Sequence, residues 1–498
     1  MDGLLTGLAV VFDPYIMLMV LLGTVGGVIV GILPGIGSTM AIALLLPFTV
    51  VMEPIPAIAV LASLFSANAY SGAIPAILVN TPGSGSSTVT CWDGYPLAKR
   101  GEAGKALGMA TVASGIGGIV SVIVFVIAAP ALARLAYEFG PAEYFAMYVF
   151  GLSMLASIGA SSPVKNLVAG AFGILLATVG IDIMTSVERF TFGYPELTAG
   201  IQFVPVLVGL FAISELLEQS ERLNQTVEHI KLNVIQLPTR EDYRKCWKAI
   251  AGSTVIGTFV GILPAAGGTV AALISYNEAK RWSKDPDKFG TGVLEGVAAP
   301  EAANNAAAQT SFIPMLSLGL PSNVVMALMI GAMMIQGITP GPNVVVTHPD
   351  LFWGLIVSMW IGNIMLVLLN FPLIGMWVRL LSTPSWLLFP AIVTFCCIGV
   401  YSLNNSYFAI YILLISGLAG YLLVNLGCEL APFILGFILG PMLEEHLRRA
   451  MSLSGGDPMI FVTSPISAVL LIIAALALVV VSLPTISRRR KEVFVEED

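Results

Sequence analysis

Charged residues are the scarcest class in this chain. Only 11% of its 498 residues are Asp, Glu, Lys or Arg, whereas 57% are hydrophobic. Soluble globular proteins carry about 25% charged residues, so the composition excludes a soluble multi-domain enzyme and a disordered chain. The charges fall in short clusters between long uncharged runs such as 14–52, 54–92 and 302–349. Because a membrane-spanning helix needs about 20 apolar residues, these runs predict an all-α polytopic membrane protein.

Residue types that build metal centres and nucleophilic sites are also scarce. The five cysteines form no CxxC pair, and the three histidines are far apart in the sequence, which argues against a metal centre. No GxxxxGK[ST] phosphate loop is present, so we expect no ATP hydrolysis by this chain. The sequence therefore predicts neither an enzyme nor a cofactor other than a coupling cation.

Glycine and proline, in contrast, are abundant inside the apolar runs. The chain has 50 glycines and 30 prolines. Broken backbone at membrane depth must be buried in protein or line a water-filled cavity. Such breaks are typical of the binding sites of secondary transporters.

Motifs with these breaks recur in the same order, which predicts an internal duplication. Gly31–Thr39 (GILPGIGST) recurs as Gly261–Thr269 (GILPAAGGT), 230 residues later. Three further sets of Gly and Pro positions recur at offsets between 227 and 247 residues. We therefore predict a first membrane repeat at 1–235, a second at 236–480 and a charged cytoplasmic tail at 481–498.

Loop charges predict that the two repeats have inverted topology, because Lys and Arg favour cytoplasmic loops. Basic residues flank the second motif on both sides, whereas the first is flanked only by Asp13 and Glu53. The uncharged run 249–277 would measure about 43 Å as one helix, too long for a hydrocarbon core of about 30 Å. We predict a re-entrant hairpin that enters from the cytoplasm and turns back at Pro264–Gly268. Its first-repeat counterpart would enter from the outer side.

An odd number of spans per repeat produces the inversion. After the first hairpin we predict spans at 54–80, 106–133, 144–161, 167–187 and 200–217, and about 11 spans plus two hairpins in the whole chain. This arrangement places the C-terminal cluster Arg488–Lys491 in the cytoplasm. It places Arg448 and Arg449 on the outer side, against the rule.

Each repeat contains two breaks, one at the hairpin tip and one near the end of the next span. Proline removes a helix donor and glycine permits close backbone approach, so the breaks expose carbonyls and helix N-termini. Carbonyls with Ser, Thr and Asn oxygens suit Na⁺, whereas helix N-termini suit a carboxylate. The alternative is that small residues here only let helices pack closely. The candidate substrate- and ion-binding residues are Gly35, Gly37, Ser38, Thr39, Asn80, Thr81, Pro82, Gly83, Gly267, Gly268, Thr269, Pro321, Ser322 and Asn323.

Glu301 and Asn304 complete the candidate site. Glu301 begins an otherwise uncharged run, and an intramembrane carboxylate is by default a hypothesis of function. It would carry a proton or bind a cation. The alternative is that it caps a helix that begins after Pro300.

Several of these motifs resemble the large permease subunit of tripartite tricarboxylate transporters, the TctA family. The resemblance covers nearly the whole chain. It implies a multi-pass protein of the bacterial inner membrane that imports tricarboxylates or related organic anions in symport with Na⁺ or H⁺. It also implies two protein partners, a small membrane subunit of the TctB type and a periplasmic solute-binding protein of the TctC type; a nucleic-acid partner is not expected. The motifs that carry it are Gly31–Thr39, Asn80–Gly83, Asp93–Leu97, Gly261–Thr269, Ala299–Asn305 and Gly319–Ser322.

Three alternatives remain open at the level of sequence. One is an organic-anion carrier that needs no binding protein, and another is a channel. The third is an intramembrane hydrolase using a serine of 84–87, although no histidine lies in the membrane runs of that half. The segment 83–105 is interpreted as a cytoplasmic gate or a packing loop.

Overall fold

Helices make up nearly all of the structure. The computed structural model describes residues 2–33, 36–157, 162–182, 184–221, 237–263, 266–381 and 385–482. Within this part of the chain, the strands are β1 (Gly180–Ile181) and β2 (Glu188–Arg189), which pair as an antiparallel hairpin. Seven helical segments are long and apolar enough to cross a membrane, and further apolar helices are shorter. The prediction of an all-α polytopic membrane protein is confirmed.

The first half of the chain forms helices up to the hairpin β1–β2 and again after it. They are α1 (Asp2–Val11), α2 (Pro14–Ile32), α3 (Ser38–Thr49), α4 (Pro54–Ser71), α5 (Ala73–Val79), α6 (Thr88–Lys99), α7 (Ala103–Ala136), α8 (Pro141–Ser157), α9 (Pro163–Ala177), α10 (Phe203–Val208) and α11 (Ser214–Glu221).

The second half is also helical, and among its described residues the β1–β2 hairpin has no counterpart. Its helices are α12 (Arg240–Ile262), α13 (Gly267–Trp282), α14 (Leu294–Thr310), α15 (Phe312–Leu318), α16 (Val324–Ile335), α17 (Val344–Thr347), α18 (Pro349–Leu380), α19 (Ser385–Asn404), α20 (Tyr407–Asn425), α21 (Leu430–Leu453), α22 (Ile460–Thr463) and α23 (Pro465–Ser482).

The backbone at the second break is the same in both halves. Helix α5 ends at Asn80 with φ 54° and ψ 30°, and α15 ends at Gly319 with φ 71° and ψ 22°. Both residues adopt the left-handed conformation that commonly terminates helices, and they lie 239 residues apart. The repeated geometry supports the predicted duplication.

Helix crossings in the two halves also match. A Cβ built on Gly27 of α2 would lie 2.3 Å from the Leu64 carbonyl oxygen of α4, and one built on Gly257 of α12 would lie 2.2 Å from the Ala303 carbonyl oxygen of α14. Only glycine permits so close an approach of two backbones. The same glycine contact therefore sets the packing of the first span in each half.

The two arms of the second predicted hairpin run side by side, whereas its entry from the cytoplasm stays a prediction. Helix α12 ends at Ile262 and α13 begins at Gly267. Gly252 in α12 packs against the Trp282 ring at the far end of α13, so the two arms are antiparallel neighbours.

The chain divides into two compact units, and each unit combines a segment of both halves. The first unit consists of Met1–Ala133 and Glu215–Gly399, and the second of Arg134–Ser214 and Val400–Asp498. The first unit contains all four breaks. In the second unit, Gly436 of α21 lies against the Gly170 carbonyl of α9, so helices of different halves pack together there. The predicted boundaries of the repeats and tail stay a prediction, and Arg488–Lys491 lies outside the described residues.

Two predicted segments differ from the structure. The span 167–187 is wrong in its last part, because α9 ends at Ala177 and the hairpin β1–β2 follows. The segment 83–105 contains helix α6 rather than a loop. Its Gly94 packs directly on Ile77, so tertiary contact overrides the poor helix propensity of glycine.

Arg448 and Arg449, which the positive-inside rule did not explain, both form ion pairs. Arg448 lies 2.9 Å from a carboxylate oxygen of Asp182 and also contacts Glu444. Arg449 pairs with Glu445 at 2.6 Å. The two arginines are therefore matched by acidic partners in the structure.

Candidate functional site

Breaks from opposite halves meet within the first unit. A Cβ built on Gly85, just before α6, would lie 3.3 Å from Thr269 Oγ1 in the first turn of α13. A Cβ on Gly268 would lie 3.4 Å from Ser86 Cβ and 2.5 Å from Asn304 Oδ1. The crossing thus joins the second break of the first half to the hairpin tip of the second. We call Gly83–Ser87, Gly267–Thr269, Asn304 and Asn323 the crossed-break cluster.

Gly83 is placed by a close backbone contact. Its N–H donates to the Gly72 carbonyl at 3.2 Å, and a Cβ built on it would lie 2.2 Å from the Gly31 carbonyl oxygen. No larger residue fits without moving the backbone. The loop 83–87 is thereby fixed against the last turn of α2.

Two helix N-termini point into the cluster without a side-chain cap. Helices α6 and α13 both begin there, and neither N-cap residue makes a side-chain hydrogen bond to its helix. Helix α16, in contrast, is capped by Asn323, whose Oδ1 accepts from the Met326 N–H at 3.0 Å. Since each N-terminus carries about half a positive charge, α6 and α13 bring two such partial charges to the cluster with no side-chain cap.

The cluster is open on one side and closed on the other. Gly85 and Thr269 are exposed, whereas Asn304 is only 2% exposed and donates from Nδ2 to the Ala69 carbonyl at 2.8 Å. An anion entering past Gly85 and Thr269 would reach hydroxyls, amide groups and helix ends. Gly85 lies in the run 54–92 and Thr269 in the run 249–277, and neither run contains a charged side chain.

The serines of the loop bind one another. Ser84 Oγ lies 3.0 Å from Ser86 Oγ and 3.1 Å from Ser87 Oγ. An activated nucleophile needs a base within hydrogen-bond reach, whereas these contacts are hydroxyl to hydroxyl. The arrangement suits a polar lining better than a hydrolase site.

Asn68 is a candidate site residue that sequence reasoning missed. It lies on α4, is fully buried, and neither its Oδ1 nor its Nδ2 has a hydrogen-bond partner among the described residues. Its Nδ2 would be 3.1 Å from a Cβ built on Gly31, so it lies beside the first hairpin. An unsatisfied buried amide costs about 1–3 kcal/mol, and a bound ion or substrate would remove that cost.

Glu301 is not a helix cap, because α14 begins at Leu294 and Glu301 is well inside it. The carboxylate is fully buried. Thr90 of α6 donates to Oε1 at 2.6 Å, and Ser114 of α7 donates to Oε2 at 3.3 Å. Glu301 therefore forms a polar cluster of its own, one helical turn before Asn304.

Asp93 holds the helices of the site in position. Its carboxylate accepts from the Gly292 and Val293 N–H groups at 2.7 and 2.9 Å, and from the Tyr276 hydroxyl at 2.8 Å. These bonds tie α6 to α13 and to the chain entering α14. The motif Asp93–Leu97 thus has a structural role that its sequence did not reveal.

The remaining predicted residues are divided between two places. Gly35 lies outside the described residues. Gly37 precedes α3 with open space around it, and Ser38 and Thr39 begin that helix, which packs against α16. Ser38 and Thr39 therefore begin a helix that contacts the helix following the second break of the other half.

The residues of the two second breaks are engaged differently. Asn80 is exposed at the end of α5, and Thr81 donates from its N–H to the Pro75 carbonyl at 3.4 Å. Pro82 follows directly. In the second half, Pro321 is buried, and Ser322 donates from Oγ to the Ser311 carbonyl at 3.1 Å.

The first unit contains broken helices from both halves, and they meet at one place. Repeats with broken helices of this kind are typical of secondary transporters. The chain belongs to the tripartite tricarboxylate transporter TctA family, whose model matches residues 17–435.

Two relatives come from Agrobacterium vitis. The first is described as an uncharacterized 52.8 kDa protein in the TAR-I ttuC' 3' region; it is 47% identical over 497 residues, which cover 100% of this chain and 99% of the relative. The second, an uncharacterized protein in the TAR-II ttuC' 3' region, is 56% identical over 242 residues, 49% of this chain and 100% of the relative. No solved structure matches the chain.

Proposed function

We propose that this chain is the large membrane subunit of a secondary transporter that imports tricarboxylates or related organic anions in symport with Na⁺ or H⁺. It acts in the bacterial inner membrane, with its C-terminus in the cytoplasm, and catalyses no covalent chemistry. A periplasmic solute-binding protein of the TctC type delivers the anion, and a small membrane subunit of the TctB type completes the assembly. Membership of the TctA family supports this class of activity.

The observation that carries the proposal is the meeting of two uncapped helix N-termini at Gly85 and Thr269. Fixed partial positive charges favour an anion, and Thr269 and the loop serines add hydroxyl donors. Two helix N-termini together carry about one positive charge, which is less than the negative charge of a tricarboxylate. A cation bound in the same cycle would compensate the difference, which is why symport fits this site better than free anion flow.

Breaks that expose carbonyl oxygens beside amide and hydroxyl groups also offer ligands for Na⁺, which prefers hard oxygen donors. In the first half such groups come from the segment after α5 and from Asn68, and in the second half from Gly267–Thr269. These places are our proposed cation sites if Na⁺ is the coupling ion.

Uptake into proteoliposomes tests the proposal. The chain is reconstituted with its small subunit, a panel of di- and tricarboxylates is offered with and without the binding protein, and Na⁺ and pH gradients are imposed separately. We expect saturable uptake that requires both the binding protein and a gradient. Flux that does not saturate would indicate a channel, and full uptake without the binding protein would indicate a self-sufficient carrier.

A matched pair of threonine variants locates the site. Thr269→Val removes a hydroxyl from the crossed-break cluster, and we expect it to raise KM by about tenfold, the effect of about 1.4 kcal/mol. Thr258→Val is the control, because Thr258 Oγ1 only bonds the Thr254 carbonyl of its own helix at 2.7 Å. Equal effects of the two substitutions would place the substrate elsewhere.

A further inference from the structure

We infer that the coupling ion is a proton and that Glu301 carries it, in a buried cluster with Thr90, Ser114 and Asn305. This inference rests on the proposed function and specifies its coupling ion. The step is one proton added to, and later removed from, a carboxylate oxygen of Glu301.

The first argument is the absence of a counter-charge. Glu301 is fully buried, and among the described residues no basic side chain forms an ion pair with it within 4.0 Å. An ionised carboxylate without a partner in an apolar environment is so costly that such groups neutralise instead. Binding a proton is the smallest change that removes the charge.

The second argument is that the partners of Glu301 suit both protonation states. Thr90 and Ser114 are hydroxyls, which can donate to a carboxylate and can also accept from a carboxylic acid. Asn305 donates from Nδ2 to Ser114 Oγ at 2.8 Å and to the Glu301 carbonyl at 3.0 Å. Its Oδ1 is buried without a partner among the described residues. The cluster can therefore gain or lose a proton by reorienting hydroxyls alone.

The third argument is the short contact between Thr90 and Glu301. The Thr90 Oγ1 and Glu301 Oε1 atoms lie 2.6 Å apart, which is the length of a direct O–H···O hydrogen bond. A change in the protonation of the Glu301 carboxylate therefore changes the bonding of the first turn of α6 directly.

The helices packed against α14 bring other titratable groups, which are already engaged or lie at helix ends. Tyr70 of α4 bonds Thr111 Oγ1 at 2.7 Å, and Asp93 of α6 accepts from the chain entering α14 and from Tyr276 of α13. Tyr243 and Cys246, in the first two turns of α12, pack near Ala298 and Ala302. The basic residues of α6, α7, α12 and α13 lie in the terminal two or three turns of those helices.

Coupling to the substrate follows from position. Glu301 lies one turn before Asn304, which contacts the hairpin tip at Gly268. Thr90 lies in the first turn of α6, directly after the serine loop of the crossed-break cluster. A proton on Glu301 thus changes the bonding of both elements that form the anion site, which is the differential contact that coupling requires.

Proteoliposomes with the complete system test the inference. The wild-type protein should accumulate substrate under an inward pH gradient in Na⁺-free buffer. Glu301→Gln, which imitates the protonated acid, should reduce this accumulation at least about tenfold while substrate exchange at equal pH persists. Glu295→Gln, which changes a carboxylate in the first turn of the same helix, should behave as the wild type.

A second pair of variants keeps the inference falsifiable if Glu301→Gln does not fold. Thr90→Val removes a donor that stabilises the ionised carboxylate, so the pH of half-maximal uptake should rise. Thr90→Ser retains the donor and should restore the wild-type value. A purely structural role for Thr90 would change the amount of folded protein and leave this pH unchanged.

Three outcomes would overturn the inference. They are uptake driven by a Na⁺ gradient and indifferent to pH, an unchanged rate and pH dependence in Glu301→Gln, and a folded Glu301→Gln protein that has lost exchange. Each of them leaves the proposed function in place. Failure of the wild type to take up any carboxylate with its binding protein would instead reject the proposed function.

Discussion

Helices α4 and α14 have the same backbone geometry in the two halves but carry different buried side chains. Helices α4 and α14 lie 239 residues apart in register, pack on equivalent glycines and lead to equivalent left-handed helix ends. At this offset the residue of α4 equivalent to Glu301 is Ala62, and the one equivalent to Asn304 is Phe65. Asn68 of α4 is equivalent to Ala307 of α14. The duplicated backbone builds the crossing, and the side chains that fill it are specific to each half.

Residues that recur in both halves set the backbone, whereas residues found in one half only are the candidates for binding. Glycines and prolines recur in both copies because the same helix crossings and breaks are needed twice. Glu301, Asn304 and Asn68 have no residue of the same type at the equivalent position of the other half, and the proposed anion and coupling ion would need such groups at particular points. Exchanging residues between the copies therefore tests which positions belong to the backbone and which belong to the site.

The largest effect is expected when Gly83 is replaced by serine, the residue that the second half has at Ser322. The new Cβ would lie 2.2 Å from the Gly31 carbonyl oxygen and 2.7 Å from Gly72 Cα. Because both contacts are with backbone, overpacking should cost about 1–3 kcal/mol or more and abolish uptake. Yield of folded protein, thermal unfolding and uptake are measured together.

The reverse exchange is the control. Ser322→Gly removes one hydrogen bond to the Ser311 carbonyl, so it should cost about 1 kcal/mol and leave uptake measurable. If the two exchanges were equally severe, the asymmetry of the two breaks would not be set by the Gly31 contact.

The next effect concerns Asn304, where the first half has Phe65. Asn304→Leu removes the amide that faces Gly268 and leaves the Ala69 carbonyl without its donor. We expect at least about a tenfold loss of kcat/KM, or 1.4 kcal/mol, measured as initial uptake rates over a range of substrate concentrations.

Asn370→Leu provides the comparison for that variant. Asn370 is equally buried, but its Nδ2 only bonds the Leu366 carbonyl of its own helix at 2.8 Å. We expect this substitution to alter stability and not KM. A similar loss of kcat/KM in both variants would contradict a binding role for Asn304.

The repeated features could be predicted from sequence because they are local. The motif offsets predicted both breaks, and Asn80 and Gly319 share a backbone conformation as those offsets imply. The partners of Glu301 could not be found in this way, since Thr90 and Ser114 lie 211 and 187 residues from it in sequence. Pairing over such distances depends on the crossing of the halves, which one sequence does not specify.

Helix α6 was missed for a related reason. Gly94 and Pro96 argue against a helix by local propensity. The structure stabilises it through Asp93, which binds the chain before α14, and through Gly94, which lets the helix approach Ile77. Both contacts are tertiary, so composition alone pointed to a loop.

The smallest effect is expected at Asp182, whose carboxylate pairs with Arg189 and Arg448. Hydrogen bonds from the Thr185 and Met184 N–H groups, together with Arg448, lower the pKa of Asp182 to about 2. A lowered pKa in the folded state stabilises the protein above the ordinary pKa of the group, and this contribution is lost as the pH falls toward about 2.

Asp182→Asn should therefore lower the unfolding temperature by a constant amount from pH 5 to pH 8, and the difference should shrink below pH 4. Uptake at neutral pH should keep its KM, because this carboxylate lies in an ion-paired loop of the second unit. A destabilisation by Asp182→Asn that is as large at pH 3 as at pH 7 would show that the ionised carboxylate is not what stabilises this loop.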